Sequence, residues 1–355
     1  MKRRDSLKFL GALALGARVL GARAARLGIR ITVPGTRPIA AALGMPLLAP
    51  LVTPAVAATS WPNRPLRILL GFPGGSTPDM VARALADPLA RRLGQAVVVE
   101  AHPGAGGNIA TDQVAKAVDD HTLGVVINGN LTTARQLYPR LPYDPQTDFT
   151  LLSLLATAPL VLAARSDIPD GRAFLAAAAQ SGERWSYGSV GTGSMAHLGM
   201  ELLKSRTPGM NSLHVPYQGN PAVINAILGG QIQLALVPPG LVIPQVKAGR
   251  LKAIGLTGPA SALAPGVPPL AEIGVKDFQL SVWAALVGPA RLSAEAQSRL
   301  GALIGPILNE PETRERLFNQ GWEAQGSSAA TLRERVQEET AQISILMNEK
   351  GIHLE

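Results

Sequence analysis

This sequence of 355 residues predicts an α/β fold of two lobes with a cleft between them. Three observations carry that expectation. Short apolar β runs alternate with segments whose apolar residues recur every three or four positions, the pattern of a mostly parallel sheet covered by helices. Two of the β runs end in glycine-rich turns that lead directly into helices. Two apolar stretches, 160–165 and 280–288, stand where the chain would leave one set of elements and return to it. A cleft at such a joint is a preferred place for a ligand.

The β runs, in order, are 66–71, 96–100, 123–128, 160–164, 185–190, 234–237, 253–257 and 282–288. The first helix follows from Val81, Leu85, Leu89 and Leu93 on one face, with Gly94 as the stop. Pro88 inside it predicts a kink, which costs roughly 3 kcal/mol in an unbroken helix. The last segment, 331–350, places Leu332, Val336, Ile343 and Leu346 on one side and predicts a surface helix packed by that face.

Charge divides the chain sharply. Residues 1–57 contain nine Lys or Arg and a single acid, Asp5, which leaves 24 bases and 24 acids in residues 58–355. The basic character therefore belongs to the first segment and argues against nucleic-acid binding by the rest. That segment opens Lys2-Arg-Arg4, continues into the apolar run 11–16, and has a second apolar run, 39–56. It ends in Ala55-Val-Ala57, a small-residue cleavage site. This reads as an export leader, with the paired arginines pointing to the twin-arginine route. The leader is long, which an upstream start codon or a retained anchor would explain, but Pro46, Pro50 and Pro54 argue against a stable spanning helix. The absence of cysteine excludes disulfides, thiol catalysis and iron–sulfur clusters. An exported protein with a neutral, cysteine-free mature chain is expected to reside in the periplasm.

The turns carry the chemistry. In 67–79, a β run passes through Gly71, Gly74 and Gly75 into a helix that Thr77 can cap, with Pro78 at its first position and Asp79 in its first turn. In 97–108, a second β run passes through Gly104, Gly106 and Gly107, and Asn108 is placed to cap the next helix. A helix opening behind a glycine turn presents unpaired N–H groups and the positive end of a dipole, so these turns predict a small anionic ligand held mostly by backbone. Asp79, facing an anion, is expected to order its turn rather than contact the ligand. Ser194 can cap the helix after Gly193, and His197, three residues on, is expected to organise that turn by hydrogen bonding. Tyr217 suits a cleft wall. His102 and His214 read as structural, and His121 as a surface residue.

Enzyme motifs are incomplete. Gly104-Ala-Gly106 starts like a dinucleotide fingerprint, but Ile109 occupies the place that needs glycine or alanine. There is no phosphate loop and no Gly-x-Ser-x-Gly elbow. Ser194 and His197 lack an obvious orienting acid, and the five histidines lack metal-site spacing. No catalytic residue, cofactor or metal is expected.

A series of short pieces stands in order along the chain: Trp61-Pro-Asn-Arg-Pro-Leu-Arg67, the turn 72–79, Leu93-Gly-Gln-Ala-Val-Val-Val-Glu100 and Pro103-Gly-Ala-Gly-Gly-Asn-Ile109. Leu141-Pro-Tyr-Asp-Pro145, Asp148-Phe149 and Tyr187-Gly-Ser-Val-Gly-Thr-Gly-Ser194 with His197-Leu198 follow. His214-Val-Pro-Tyr-Gln-Gly219 and Leu228-Gly-Gly-Gln231 complete the set. By these pieces the chain resembles, from about Trp61 to Glu355, the substrate-binding proteins of tripartite tricarboxylate transporters, the Bug family.

The resemblance implies a type II periplasmic binding fold, a two-lobed Venus flytrap closing on a small carboxylate for membrane transporter subunits, and working as a monomer. It implies lobe 1 from 58–162 and 284–355 and lobe 2 from 163–283. Lobe 1 would offer Phe72, Gly74, Gly75, Ser76 and Asp79, with Asn128, Gly129 and Asn130. Lobe 2 would offer Ser189, Thr192, Gly193, Ser194 and His197, with Tyr217 and Gly219. A sensory role, handing the loaded state to a membrane receptor, uses the same cleft. The family's first turn reads Phe-Pro-Pro-Gly-Gly-x-x-Asp; here Gly74 replaces the second proline, Ser76 the second glycine, and Pro78 stands two later, so the turn can present a hydroxyl. Relatives carry acids after Gly229-Gly-Gln231, where this chain has Gln233 and Val237-Pro-Pro239, which predicts a carboxylate without an ammonium group.

Overall fold

The computed structural model describes residues 61–350, so the expected leader and its cleavage site lie outside the described residues. The elements run β1 (Leu66–Leu70), α1 (Thr77–Leu93), β2 (Val97–Ala101), α2 (Asn108–Ala115), β3 (Thr122–Ile127), α3 (Asn128–Leu131), α4 (Ala134–Leu137) and β4 (Phe149–Pro159). Then come β5 (Val161–Arg165), α5 (Gly171–Ala179), β6 (Ser186–Ser189), α6 (Met195–Arg206), β7 (Leu213–Pro216), α7 (Asn220–Leu228), β8 (Leu234–Val237), α8 (Pro239–Lys247) and β9 (Leu251–Leu256). The chain finishes with β10 (Ser281–Pro289), α9 (Ala294–Leu308), α10 (Pro311–Asn319), β11 (Glu323–Ala324) and α11 (Ala329–Lys350).

Two sheets organise these elements. One has the order β11-β4-β10-β3-β1-β2 and the other β7-β6-β8-β5-β9. Both are mixed rather than mostly parallel. β1 lies parallel to β2 and β3, but β10 runs antiparallel to β3 and β4. In the second sheet β6 is parallel to β7 and β8, whereas β5 opposes β8 and β9. The departure has a simple cause. β4 leaves the first sheet and β10 returns to it, so the two run in opposite directions side by side.

Period-two alternation places the core. Ile68 and Leu70 pack on one face of β1 with Leu85 and Leu89 of α1, and Leu69 packs on the other with Val114 of α2. Both faces of the first sheet are thereby covered, and Trp283 of β10 and Trp322 are fully buried. α1 continues through Pro88 and ends at Gly94, whose φ of 68° is the left-handed stop expected of it. Among the described residues of α11, Leu332, Val336, Ile343 and Met347 are buried. Among the described residues no helix is long and apolar enough to cross a membrane.

Three strands escaped the sequence reading. β4 is buried along nearly its whole length, with Thr150, Ser153 and Thr157 among its apolar residues, and runs on into β5, so the alternation that marks a half-buried strand is missing. β7 and β11 are short edge strands. His121 is buried rather than on the surface, with its ring tilted 5.9 Å from that of Trp61.

One residue ties the crossings together. Thr257 is fully buried, and its N–H donates to the Leu160 carbonyl at 2.9 Å while its Oγ1 accepts from the Leu160 N–H at 2.9 Å. The same hydroxyl donates to the Leu280 carbonyl at 2.6 Å, and the Leu280 N–H donates to the Thr257 carbonyl at 2.8 Å. Replacing Thr257 with Val preserves shape but orphans the Leu160 N–H and the Leu280 carbonyl. The expected loss is about 1–3 kcal/mol, read from urea denaturation midpoints.

Candidate functional site

The first turn is shaped by its own acid. Gly75 adopts a φ of 74°, a conformation that favours glycine, and its N–H donates to Asp79 Oδ2 at 2.9 Å. Asp79 Oδ1 accepts from Arg83 Nε at 2.8 Å, so both carboxylate oxygens are engaged by the protein. The cap of α1 is Ser76 rather than Thr77, which is the first helical residue, with Pro78 second. Ser76 makes no capping bond; its buried Oγ has no protein partner. Thr77 Oγ1 instead accepts from Asn220 Nδ2 at 3.0 Å, a bond to the start of α7.

The second glycine turn buttresses the first. A Cβ on Gly71 would lie 2.2 Å from the Gly107 Cα, so the two turns touch backbone to backbone. Asn108 does not cap α2; Gly107 holds that position. Asn108 Oδ1 accepts from Tyr143 Oη at 2.7 Å and from Asn130 Nδ2 at 2.8 Å. Asn130 also accepts from the Ile127 N–H and donates to the Gly106 carbonyl, which makes it a brace. Asn128 donates to the Ser281 carbonyl and to Glu339 Oε1 at 2.8 Å, and its Oδ1 is buried without a partner. Glu339 also accepts from Trp283 Nε1 at 2.6 Å, and burial pushes its carboxyl above the usual carboxylate range against the lowering by these donors.

The turn between β6 and α6 is ordered by side chains beneath it. Ser194 caps α6, accepting from the His197 N–H at 3.3 Å and donating to the Gly191 carbonyl at 2.8 Å. His197 Nδ1 accepts from the Gly193 N–H at 3.1 Å, the turn-organising role its position suggested. Its ring stacks on His214 at 3.9 Å between centroids, and His214 Nε2 meets Ser189 Oγ at 2.7 Å. Burial, reinforced by His214 and Lys204, pushes His197 down to about 3; burial pushes His214 down to about 4 despite the opposing charge of Glu201.

These turns meet across the cleft. Thr133 Oγ1 donates to the Gly193 carbonyl at 2.7 Å, and Tyr138 Oη donates to the Thr192 carbonyl at 3.1 Å. Gly129 lies against Gly193 and Ser194, and a Cβ on Gly219 would meet Pro73 at 3.1 Å. Thr133, Tyr138 and Asn220 were not singled out by sequence, and Thr77 was expected only as a helix cap. The Asn220-Pro221 pair behind Gly219 was the readable clue to a helix start there.

Two adjoining cavities result. The inner one, of about 30 Å³, has room for about two water-sized groups. It is bordered by Ser76 and Thr77 at the start of α1, Ser194 and Met195 at the start of α6, Asn220 at the start of α7, and Pro238 ahead of α8. The outer cavity, of about 260 Å³, lies among the turns 104–107 and 190–192, with Tyr138 and Tyr217 in its wall. Phe72 and Val190 border both. Of the sequence candidates, Phe72, Ser76, Ser194, Thr192 and Tyr217 line these cavities. Asp79, Asn128, Gly129, Asn130, Ser189, Gly193, His197 and Gly219 stand behind the walls, and Gly74 and Gly75 are exposed.

No charged side chain lines either cavity. Positive potential at the inner one comes from helix starts, each equivalent to roughly half an elementary charge, whose first-turn N–H groups have no intrahelical acceptor. Among the described residues no cluster of three His, Asp or Glu could hold a metal ion. The arrangement can bind and enclose an anion.

Two sheets joined at a double crossing, with helix starts converging on an uncharged cleft, define a solute-binding protein. The chain matches the tripartite tricarboxylate transporter family receptor model over residues 81–352, and it belongs to that family, TctC/Bug, whose members are periplasmic solute-binding proteins and not enzymes. It is similar to periplasmic binding protein BugD, with 28% identity and a TM-score of 0.78 over 83% of this chain and 100% of that one. Rpa4515 of R. palustris, solved with adipate, is 28% identical with a TM-score of 0.79 over 83% of this chain and 99% of that one. MatC (Rpa3494) of Rhodopseudomonas palustris, with bound malate, is 28% identical with a TM-score of 0.76 over 81% and 99%.

The stacked histidines set a pH dependence. Both are held neutral in the fold, while in the unfolded chain they titrate near about 6.5. As pH falls from there toward 4 and then 3, the unfolded state binds more protons and the fold loses stability. Urea midpoints measured between pH 7 and pH 4 should decline, and less steeply in the double variant H197N/H214N.

Proposed function

We propose that this protein captures a small, non-aminated carboxylate in the cleft and presents it to membrane transporter subunits of the tripartite tricarboxylate type. In this reading the first 57 residues direct export and are removed, and the mature monomer works in the periplasm. The observation that carries the reading is the convergence of α1, α6, α7 and α8 by their N-termini on one buried pocket without charged walls. Adipate and malate in the relatives support the ligand class. The ligand is held chiefly by N–H groups, and the lobes close over it on a hinge at the Thr257 tie. One lobe captures the ligand before closure, and contacts such as Thr133 to Gly193 and Tyr138 to Thr192 complete the closed state.

Ser76 tests the reading directly, because its Oγ has no protein partner to lose. Ser76→Ala should lower carboxylate affinity by about threefold to tenfold, equivalent to a net hydrogen bond of about 0.5–1.5 kcal/mol. The melting temperature of the ligand-free protein should be almost unchanged. Calorimetry against a panel of carboxylates and amino acids checks both statements; unaltered affinity in the variant, or preference for aspartate, counts against the reading.

A further inference from the structure

The two cavities divide a ligand unequally. The inner one, of about 30 Å³, takes about two water-sized groups, the two oxygens of one carboxylate. Ser76 Oγ, buried and without a partner among the described residues, stands there at a helix start, where an anion is favoured. Whatever the carboxylate is attached to must then leave between Phe72 and Val190, the two residues that border both cavities. Beyond them lies the outer cavity of about 260 Å³. A cavity of about 150 Å³ accepts a benzene ring, so the outer one has space for a ring with a short spacer.

The outer cavity is aromatic. Phe72, Tyr138 and Tyr217 line it, in a chain only 4% aromatic. Their rings are held in place beforehand. A Cβ on Gly107 would lie 2.8 Å from Phe72 Cε2, and one on Gly188 3.3 Å from Tyr217 Cε2, so both rings are seated on glycine backbone. Tyr138 Oη is fixed by its bond to the Thr192 carbonyl. Rings already fixed lose little side-chain freedom when a ligand packs on them. A second charge is poorly served there. No charged side chain lines the cavity, and three backbone donors around it are spent. Gly107 N–H donates to the Gly104 carbonyl at 2.9 Å, Gly191 N–H to Ser189 Oγ at 3.1 Å, and Tyr217 N–H to the Ser189 carbonyl at 2.8 Å. A second carboxylate would exchange water for aromatic carbon without a cation to meet it.

We propose that this site takes an arylalkanoate, with its carboxylate in the inner cavity, a short methylene spacer between Phe72 and Val190, and an uncharged aromatic ring against Tyr138 and Tyr217 in the outer cavity. The proposal rests on the carboxylate-binding reading above and narrows its ligand class. Tyr217 is the specificity residue, because an aromatic pair adds to the area that the ring buries.

Isothermal titration of the purified protein with phenylacetate and 3-phenylpropanoate, against butanoate, malate and adipate, tests it. One of the two aryl acids should bind at least ten times more tightly than any of the other three. Tyr217→Leu, folded by circular dichroism and melting temperature, should reduce the preference for that acid over butanoate by about threefold to tenfold. Tyr217→Phe, which keeps the ring, should hold the preference within about twofold. The panel on the unaltered protein decides the ligand class whatever the stability of the variants. Butanoate binding as tightly as the aryl acids overturns the role of the outer cavity. Tighter binding of malate or adipate, still weakened by Ser76→Ala, overturns the aromatic ligand and leaves the carboxylate reading standing. An undiminished preference in Tyr217→Leu overturns the placement of the ring. Binding of none of the five overturns the carboxylate reading itself, and this inference with it.

Discussion

The crossing at Thr257 is the constraint from which the rest of the molecule follows. Three segments meet there, β4 passing into β5, the end of β9, and the return toward β10, and a buried threonine satisfies backbone groups of both passages. Buried backbone polar groups left unpaired would be expensive, so the crossings cannot drift apart at little cost. The tie fixes where each sheet delivers its strand ends. The turns after β1, β6, β7 and β8 thereby face one another, and each opens a helix whose N-terminus points into the same space.

Under the proposed function, that geometry is what attracts an anion to the cleft without a cation. Charged groups near it are already neutralised or committed: Asp79 by Gly75 and Arg83, and the histidines beneath the second turn held neutral by burial. A fixed array of N–H dipoles costs little reorganisation when an anion arrives. A lysine or arginine would be flexible and heavily hydrated by comparison. Apolar walls then strengthen these interactions by excluding water.

The candidate residues divide into those that touch the cavity and those that hold its walls. Ser76 and Ser194 both precede helices, yet Ser194 is occupied by its own cap while Ser76 is orphaned. Asn128 and Asn130 are two residues apart, and one reaches α11 while the other braces the neighbouring turn. Such divisions depend on neighbours distant in the chain, which local spacing does not reveal.

Sequence by itself determined the α/β class, the glycine turns leading into helices, the stop at Gly94 and the amphipathic last helix, because each depends on backbone preference or periodicity within a few residues. It missed β4, whose burial on both faces erases alternation, and it took both sheets as mostly parallel. Tertiary structure alone decided that β10 returns antiparallel between β3 and β4. It also decided that Thr77 pairs with Asn220, that His121 is buried, and which hydroxyl is left for a ligand. Those outcomes are set by which strand ends and side chains meet across long sequence separations, where the free energy of burial and pairing overrides local propensity.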